Sequence, residues 1–199
     1  MTLERLPRQP VGLLDVVRHA HPWQAVIVAV LICLAFAGVG IAPGFVTVAW
    51  LALVTPSLVI IDLRQRRLPN VLVVPGLGAV LIDGCWASVS SGEFPVPAAL
   101  TTSIVAAVML ALNLVGGLGM GDVKLSVVMA GCLSLVVPIL AVSALMLAFL
   151  LGGAYSAALL LRRRELRGRR IAFGPLLLSA FWAVVALRAL SGMARAFVS

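Results

Sequence analysis

The sequence has 199 residues, of which 62% are hydrophobic and 11% are charged. About a quarter of the residues in an average soluble domain are charged, so this chain lacks the polar surface that a water-soluble fold requires. The composition therefore predicts an integral membrane protein. The formal net charge of +8 is typical of basic residues that flank membrane spans, and nucleic acid is not expected as a partner.

Long apolar runs follow one another through the chain, separated by glycine, proline or charged residues. A helix needs about 20 mostly apolar residues to cross the hydrocarbon core of a bilayer. We therefore predict an all-α, polytopic transmembrane bundle of about six or seven spans. A cytoplasmic N-terminal segment is expected at residues 1–23 and a single transmembrane domain at residues 24–199. The candidate spans are Gln24–Ile41, Phe45–Ile61, Val71–Ser90, Val96–Val115, Val123–Val137, Pro138–Leu161 and Ile171–Leu190.

The chain has no charged residue between Leu125 and Leu161, a run that is too long for one span. Pro138 is the natural break, because proline interrupts helices. At the N-terminus, "AFA" at residues 35–37 resembles a signal-peptidase site. The length of the segment that precedes it favours an uncleaved first helix.

The distribution of basic residues predicts the orientation. If the N-terminus is cytoplasmic, every lysine and arginine except Arg188 and Arg195 falls on the inner side. Cytoplasmic loops of membrane proteins are enriched in these residues. Merging the two helices around Pro138 would move the arginine-rich loop at residues 162–170 to the outside, so the charge bias also favours the break.

Two of the seven acidic residues, Asp62 and Asp122, stand directly at the cytoplasmic ends of predicted spans in this topology. Carboxylates held close together in a bundle that limits water share a proton and form a candidate acid–base pair. A helix cap is the alternative for Asp122, which precedes a span. Asp62 follows a span, where negative charge is disfavoured, and Arg64, Arg66 and Arg67 could instead offset it as salt bridges.

Asp83 lies deeper, within the third predicted span. An ionisable residue inside a membrane indicates function by default. Asp83 is either a competitor for one of the catalytic roles or a structural hydrogen-bonding group.

Glycine surrounds Asp122, with Gly119 and Gly121 immediately before it. A backbone without side chains could pair with an extended peptide, although an ordinary glycine-rich turn is the alternative. The three cysteines are isolated, and no Cys/His cluster occurs. We therefore predict neither a metal site nor a cofactor.

Three segments resemble motifs of the type IV prepilin peptidases, which are membrane aspartic proteases with a GxGD motif. "GMGDVKL" at residues 119–125 contains that motif. "DLRQRRLPN" at residues 62–70 resembles the family's aspartate, basic loop and Leu-Pro-Asn turn. "IAFGP" at residues 171–175 resembles the segment that opens the last span, with Ala172 in place of the usual proline. The resemblance covers roughly residues 45–174.

The resemblance implies an endopeptidase of a prokaryotic inner membrane, with Asp62 and Asp122 as catalytic residues acting on water. The substrate would be a prepilin, pseudopilin or preflagellin-like precursor, cut at the cytoplasmic face between its basic leader and its hydrophobic helix. Lys124, Arg64, Arg66 and Arg67 are candidates for binding an acidic residue just after the cut. Members that also methylate their product typically carry an extra domain with CxxC motifs, so we expect a compact, peptidase-only form.

Two other readings remain open at this point. A small transporter or channel could use Asp83 and Asp122 as proton or cation sites, but the predicted spans carry few other polar residues. A catalytically inactive subunit of a pilus or secretion machine is the second alternative, and the presence of both aspartates and both motif glycines argues against it. The sequence leaves the oligomeric state open.

Overall fold

The computed structural model describes residues 22–65, 68–116, 118–161 and 172–198. Within these residues the chain is entirely helical. The helices are α1 (Pro22–Val39), α2 (Phe45–Gln65), α3 (Asn70–Ser91), α4 (Val96–Leu114), α5 (Met120–Val136), α6 (Pro138–Leu161) and α7 (Gly174–Val198). The described part does not include residues 1–21, Arg66, Arg67 or residues 162–171. The predictions that concern these residues stay predictions.

Each predicted span corresponds to one helix. The break predicted at Pro138 is present, because α5 ends at Val136 and α6 begins at Pro138. The observed α2 ends later than the predicted span Phe45–Ile61, because the helix continues through Asp62 to Gln65. Asp62 is therefore a helical residue rather than the first residue of a loop.

Six of the helices are long and apolar enough to cross a membrane, and α5 is shorter, with 17 residues. The outward faces of the bundle are apolar, as Leu81 (71% exposed) and Leu150 (70% exposed) illustrate. Such faces suit hydrocarbon, in which a helix satisfies its own backbone hydrogen bonds. The chain is a multi-pass membrane protein, and the predicted helical bundle is confirmed.

Helix α5 occupies the centre of the bundle and packs against α2, α3, α4, α6 and α7. Nearly all of its side chains between Val123 and Ser134 are buried. A helix that is apolar on every side is typical of such an interior position. The central helix also carries Asp122 in its first turn, so the surrounding helices determine what reaches that carboxylate.

Close packing of α3 against α5 depends on Gly131. A Cβ atom at this position would lie 2.5 and 2.9 Å from the two methyl groups of Val80. Valine is stiff about χ1, so its methyl groups cannot easily move aside. The absence of a side chain at Gly131 therefore determines how closely the two helices approach.

Asp83 binds the opposite end of α2 from the one that carries Asp62. Its Oδ2 accepts hydrogen bonds from the Thr47 N–H (2.8 Å) and the Thr47 hydroxyl (2.6 Å), and its Oδ1 accepts one from the Val46 N–H (3.3 Å). These donors belong to the first turn of α2, so Asp83 caps that helix from α3. Roughly 22 Å of helix, at about 1.5 Å per residue, separates Thr47 from Asp62.

We expect the substitution Gly131→Ala to lower the stability of the folded bundle by about 1–3 kcal/mol, because the new methyl group overlaps Val80. The substitution Gly78→Ala on α3 is the matched control, since nothing lies within 4 Å of its new Cβ atom. Thermal unfolding in detergent micelles measures both variants. Equal midpoints for the two variants would contradict this account of the α3–α5 contact.

Candidate active site

Asp62 lies in the last turn of α2 and is 4% exposed. Its Oδ2 accepts a hydrogen bond of 3.0 Å from the backbone N–H of Gly174, the first residue of α7. The N-terminus of one helix therefore stabilises a carboxylate that sits unfavourably at the C-terminal end of another. A Cβ atom at Gly174 would lie 2.7 Å from the same oxygen, so the contact requires glycine.

Asp122 lies in the first turn of α5 and is partly buried. Its Oδ2 accepts a hydrogen bond of 3.3 Å from the N–H of Gly119, the extended N-cap residue of the helix. This is the cap expected for an aspartate before a span. The cap leaves Oδ1 without a hydrogen bond to any described residue, and the same is true of Oδ1 in Asp62. Each carboxylate therefore keeps one oxygen for a proton or a water molecule.

The two carboxylates interact electrostatically. Asp122 lies outside the six candidate spans. The pKa of its carboxyl group is raised to about 6. Burial contributes most to this rise and repulsion from Asp62 adds to it, while the hydrogen bond from the Gly119 N–H lowers the pKa. Neighbouring carboxylates in a site that excludes water cannot both ionise easily. The pair therefore holds a proton at a higher pH than an isolated aspartate would.

Leu68 lies between the two acidic positions. Its side chain packs so closely against Gly121 that a Cβ atom there would lie 2.7 Å from the Leu68 Cβ. The other side of Leu68 faces Gly174, where a Cβ atom would lie 3.3 Å from Leu68 Cδ2. The second glycine of the motif therefore makes room for the segment that follows α2. This contact brings the neighbours of Asp62 and Asp122 together.

The basic residues predicted to bind substrate are Lys124, Arg64, Arg66 and Arg67. Lys124 donates a hydrogen bond of 3.0 Å to Oδ1 of Asn70, the first residue of α3. Because this partner is a neutral amide, no described residue forms an ion pair with Lys124, whose positive charge lies two residues from Asp122 in the chain. Arg64 is exposed on the last turn of α2, whereas Arg66 and Arg67 lie outside the described residues.

The two motif glycines have roles in the structure that do not involve substrate. The carbonyl of Gly119 accepts hydrogen bonds from the N–H groups of Asp122 (3.0 Å) and Val123 (3.3 Å), while its own N–H binds the Asp122 carboxylate. Gly121 accommodates Leu68. A further role for either glycine in substrate binding stays a prediction.

Sequence reasoning missed the contributions of Leu68 and Gly174. The "IAFGP" segment drew attention to Gly174, but nothing in the sequence indicated that its N–H binds Asp62. No motif distinguished Leu68 as a contact between the two halves of the site. Among the described residues, no group of three or more His, Cys, Asp or Glu side chains could hold a metal ion.

Comparison with known proteins identifies one family. A sequence profile of the type IV leader peptidase family matches residues 45–157, a range that includes Asp62, Asp122 and Lys124. No curated protein and no solved structure gives a significant match.

We expect Asp122 to titrate near pH 6, and we expect the substitution Asp62→Asn to lower that midpoint because it removes a neighbouring negative charge. The chain has only four aspartates, so carboxyl signals of ¹³C-labelled aspartate in micelles can resolve the titration. The signal of Asp122 is the one that an Asp122→Asn variant lacks.

The substitution Asp83→Asn is the control for this titration, since Asp83 binds the far end of α2. It should leave the Asp122 midpoint in place. If Asp62→Asn also leaves that midpoint in place, the two carboxylates are not electrostatically coupled.

Proposed function

The chain belongs to the type IV leader peptidase family, and from this membership we propose that it is a membrane aspartic endopeptidase that removes the leaders of prepilin-like or pseudopilin precursors. The observation that carries the proposal is the pairing of Asp62 and Asp122. These residues come from different helices, and each is held by a backbone N–H while its other oxygen accepts no hydrogen bond from a described residue. That combination suits two acids that must exchange protons without moving.

The reaction needs one ionised and one protonated carboxyl group. The ionised group removes a proton from water, whose oxygen attacks the carbonyl carbon of the scissile peptide bond. The protonated group donates its proton to the carbonyl oxygen, which gives a tetrahedral intermediate. Transfer of a proton to the amide nitrogen then allows the C–N bond to break. The shared proton of a coupled pair supplies both protonation states at once, and its apparent pKa values belong to the pair.

Main-chain donors for the substrate are available beside Asp122. The first N–H groups of a helix have no partner within that helix, and in α5 those of Met120 and Gly121 donate to no described residue, whereas those of Asp122 and Val123 bind the Gly119 carbonyl. We assign the N–H groups of Met120 and Gly121 to carbonyl groups of the bound peptide. Neither Gly119 nor Gly121 adds a side chain of its own to the approach to these donors, although Leu68 packs against one face of Gly121, and this is the role we propose for the two glycines in substrate binding.

The side of the membrane follows from the distribution of charge. The C-terminal end of α2, the N-terminal end of α5 and the N-terminal end of α7 meet at the site. The loops at this end contain most of the basic residues, which are enriched on the cytoplasmic side of membrane proteins. We therefore propose that cleavage occurs at the cytoplasmic face of a prokaryotic inner membrane.

Lys124 is our candidate for recognising an acidic side chain of the precursor close to the cleaved bond. Its amide partner Asn70 fixes the position of the ammonium group but does not neutralise it. A carboxylate that approached this end of α5 would find a positive charge beside the two acids, with Arg64 at the edge. Arg66 and Arg67 are proposed to add to this attraction.

A transporter that used Asp83 and Asp122 together is disfavoured by the position of Asp83. Both oxygens of that carboxylate bind the first turn of α2, at the end of the helix away from Asp62. Its contacts are those of a helix cap. The two acids that do interact are the ones that the peptidase mechanism requires.

We expect the substitutions Asp62→Ala and Asp122→Ala each to abolish leader removal when the protein is co-expressed with a prepilin and the products are resolved on a gel. The double variant should be no worse than either single one, because the two residues act as a unit. The substitution Asp83→Asn should retain cleavage. Activity that survives loss of either Asp62 or Asp122 would overturn the proposed pair.

We expect the substitution Lys124→Ala to slow cleavage about tenfold for a precursor with an acidic residue just after the cut, because a charge-assisted hydrogen bond is lost. The same substitution should hardly affect a precursor that carries glutamine at that position. A double-mutant cycle over enzyme and substrate measures the coupling. The control is Arg195→Ala, at an exposed position on the last turn of α7. This variant should cleave both precursors at the wild-type rate. Equal slowing of both precursors by Lys124→Ala would refute direct recognition of the acidic residue.

A further inference from the structure

On the basis of the proposed function, we infer that Asn113 is a positioning residue for Asp122 and acts through the peptide group that joins Leu118 to Gly119. Asn113 lies in the last turn of α4 and is half-buried. It touches neither of the two acids, and no motif of the sequence includes it.

The contacts form a short chain of hydrogen bonds. The side-chain N–H of Asn113 donates to the carbonyl oxygen of Leu118 at 2.7 Å. The N–H of Gly119 donates to Oδ2 of Asp122 at 3.3 Å. The carbonyl of Leu118 and the N–H of Gly119 belong to one planar peptide group. A donor at one end of this group therefore fixes and polarises the donor at its other end.

Asn113 also holds the beginning of the loop between α4 and α5. Its backbone carbonyl oxygen accepts a hydrogen bond of 2.9 Å from the N–H of Gly116, whose φ of 86° reverses the chain after the helix. The side chain then binds the loop again just before Gly119. Asn113 thus binds the chain at Gly116 and again at Leu118, and the second contact holds the peptide plane whose N–H donates to Asp122.

Polarisation has a definite effect on Asp122. A carbonyl that accepts a hydrogen bond strengthens the donor at the other end of its peptide group. A stronger donor stabilises the ionised carboxylate and lowers its pKa. Without Asn113 the Gly119 N–H would bind Asp122 less well, and the carboxyl group would ionise at higher pH. Whether Asp122 acts as acid or as base, the limb of the pH profile that it governs would then move to higher pH.

Replacing Asn113 does not change the charges of the basic loops, and few charged groups in the described part of this end of the bundle compete with this effect. Within the described residues they are Asp62 and Arg64 at the end of α2 and Lys124 on α5 itself. The adjoining ends of α3, α4, α6 and α7 carry no acidic or basic residue in the described part of the chain. A shift in the titration of Asp122 after a change at Asn113 can therefore be ascribed to the peptide group.

The test compares three substitutions of Asn113. The substitution Asn113→Leu keeps the branched shape of the side chain and removes the donor, Asn113→Ser leaves a side chain too short to reach Leu118, and Asn113→Gln retains a donor. The substitution Thr101→Ala is the matched control, since the Thr101 hydroxyl binds only the Pro97 carbonyl within α4. Each variant is assayed for kcat and KM on a prepilin and for the ¹³C titration of Asp122.

We expect Asn113→Leu and Asn113→Ser to raise the Asp122 midpoint by about half a pH unit, which corresponds to about 0.7 kcal/mol. We expect kcat to fall about tenfold, with KM within about twofold of the wild type, because substrate contacts are unchanged. The Gln variant should restore both the midpoint and kcat. Thr101→Ala should match the wild type.

An Asp122 midpoint that stays in place in both Asn113→Leu and Asn113→Ser, which lose the contact to Leu118, overturns the inference even if kcat falls, because Asn113 would then only support the loop. A Gln variant that behaves like the Leu variant overturns it too. If Asn113→Leu does not fold, the smaller Asn113→Ser decides the outcome. The titration does not depend on cleavage, so a wild-type protein that cleaves no prepilin counts against the proposed function and leaves the test of Asn113 intact.

Discussion

A carboxylate inside an apolar bundle needs a backbone N–H, and the three aspartates of the described residues all obtain one at the start of a helix. Asp122 binds Gly119 at the N-terminus of its own helix, Asp62 binds Gly174 at the start of α7, and Asp83 binds Thr47 in the first turn of α2. Free N–H groups and the helix dipole make these positions favourable for negative charge. The arrangement of the bundle is tied to these contacts, because two of the three connect different helices.

The difference between the acids lies in how many oxygens are engaged. Asp83 is fully buried and commits both oxygens to α2, so it serves as a structural cap. Asp62 and Asp122 lie at the same end of the bundle, and each commits one oxygen to a described residue and leaves the other without such a partner. Small residues make this possible, since Gly121 admits Leu68 and Gly174 admits the Asp62 carboxylate. The geometry needed for the proposed proton exchange therefore depends on the absence of a side chain at Gly121 and Gly174 as well as on the two acids.

The helices and their order were predictable because hydrophobic length is a strong signal in membrane proteins, and Pro138 marked the break between α5 and α6. The common depth of Asp62 and Asp122 was also predictable from the distribution of arginines. Their mutual approach was not, since it depends on Leu68 packing against two glycines far apart in the chain. The partner of Asp62 was equally hidden, because Gly174 follows it by 112 residues. Salt bridges to nearby arginines were the alternative role for Asp62, and no partner within the chain was predicted for Lys124; among the described residues Asp62 accepts from the Gly174 N–H and Lys124 donates to Asn70.

The hydrogen bond from Gly174 has a consequence for where the functional unit ends. The family profile matches residues 45–157 and includes both acids, but the N–H that holds Asp62 comes from a helix beyond that match. The stretch by which the family is recognised is therefore shorter than the stretch that completes the site. Grafting or trimming this protein at the borders of the recognisable region would keep every acidic residue of the pair and still leave one of them without its anchor.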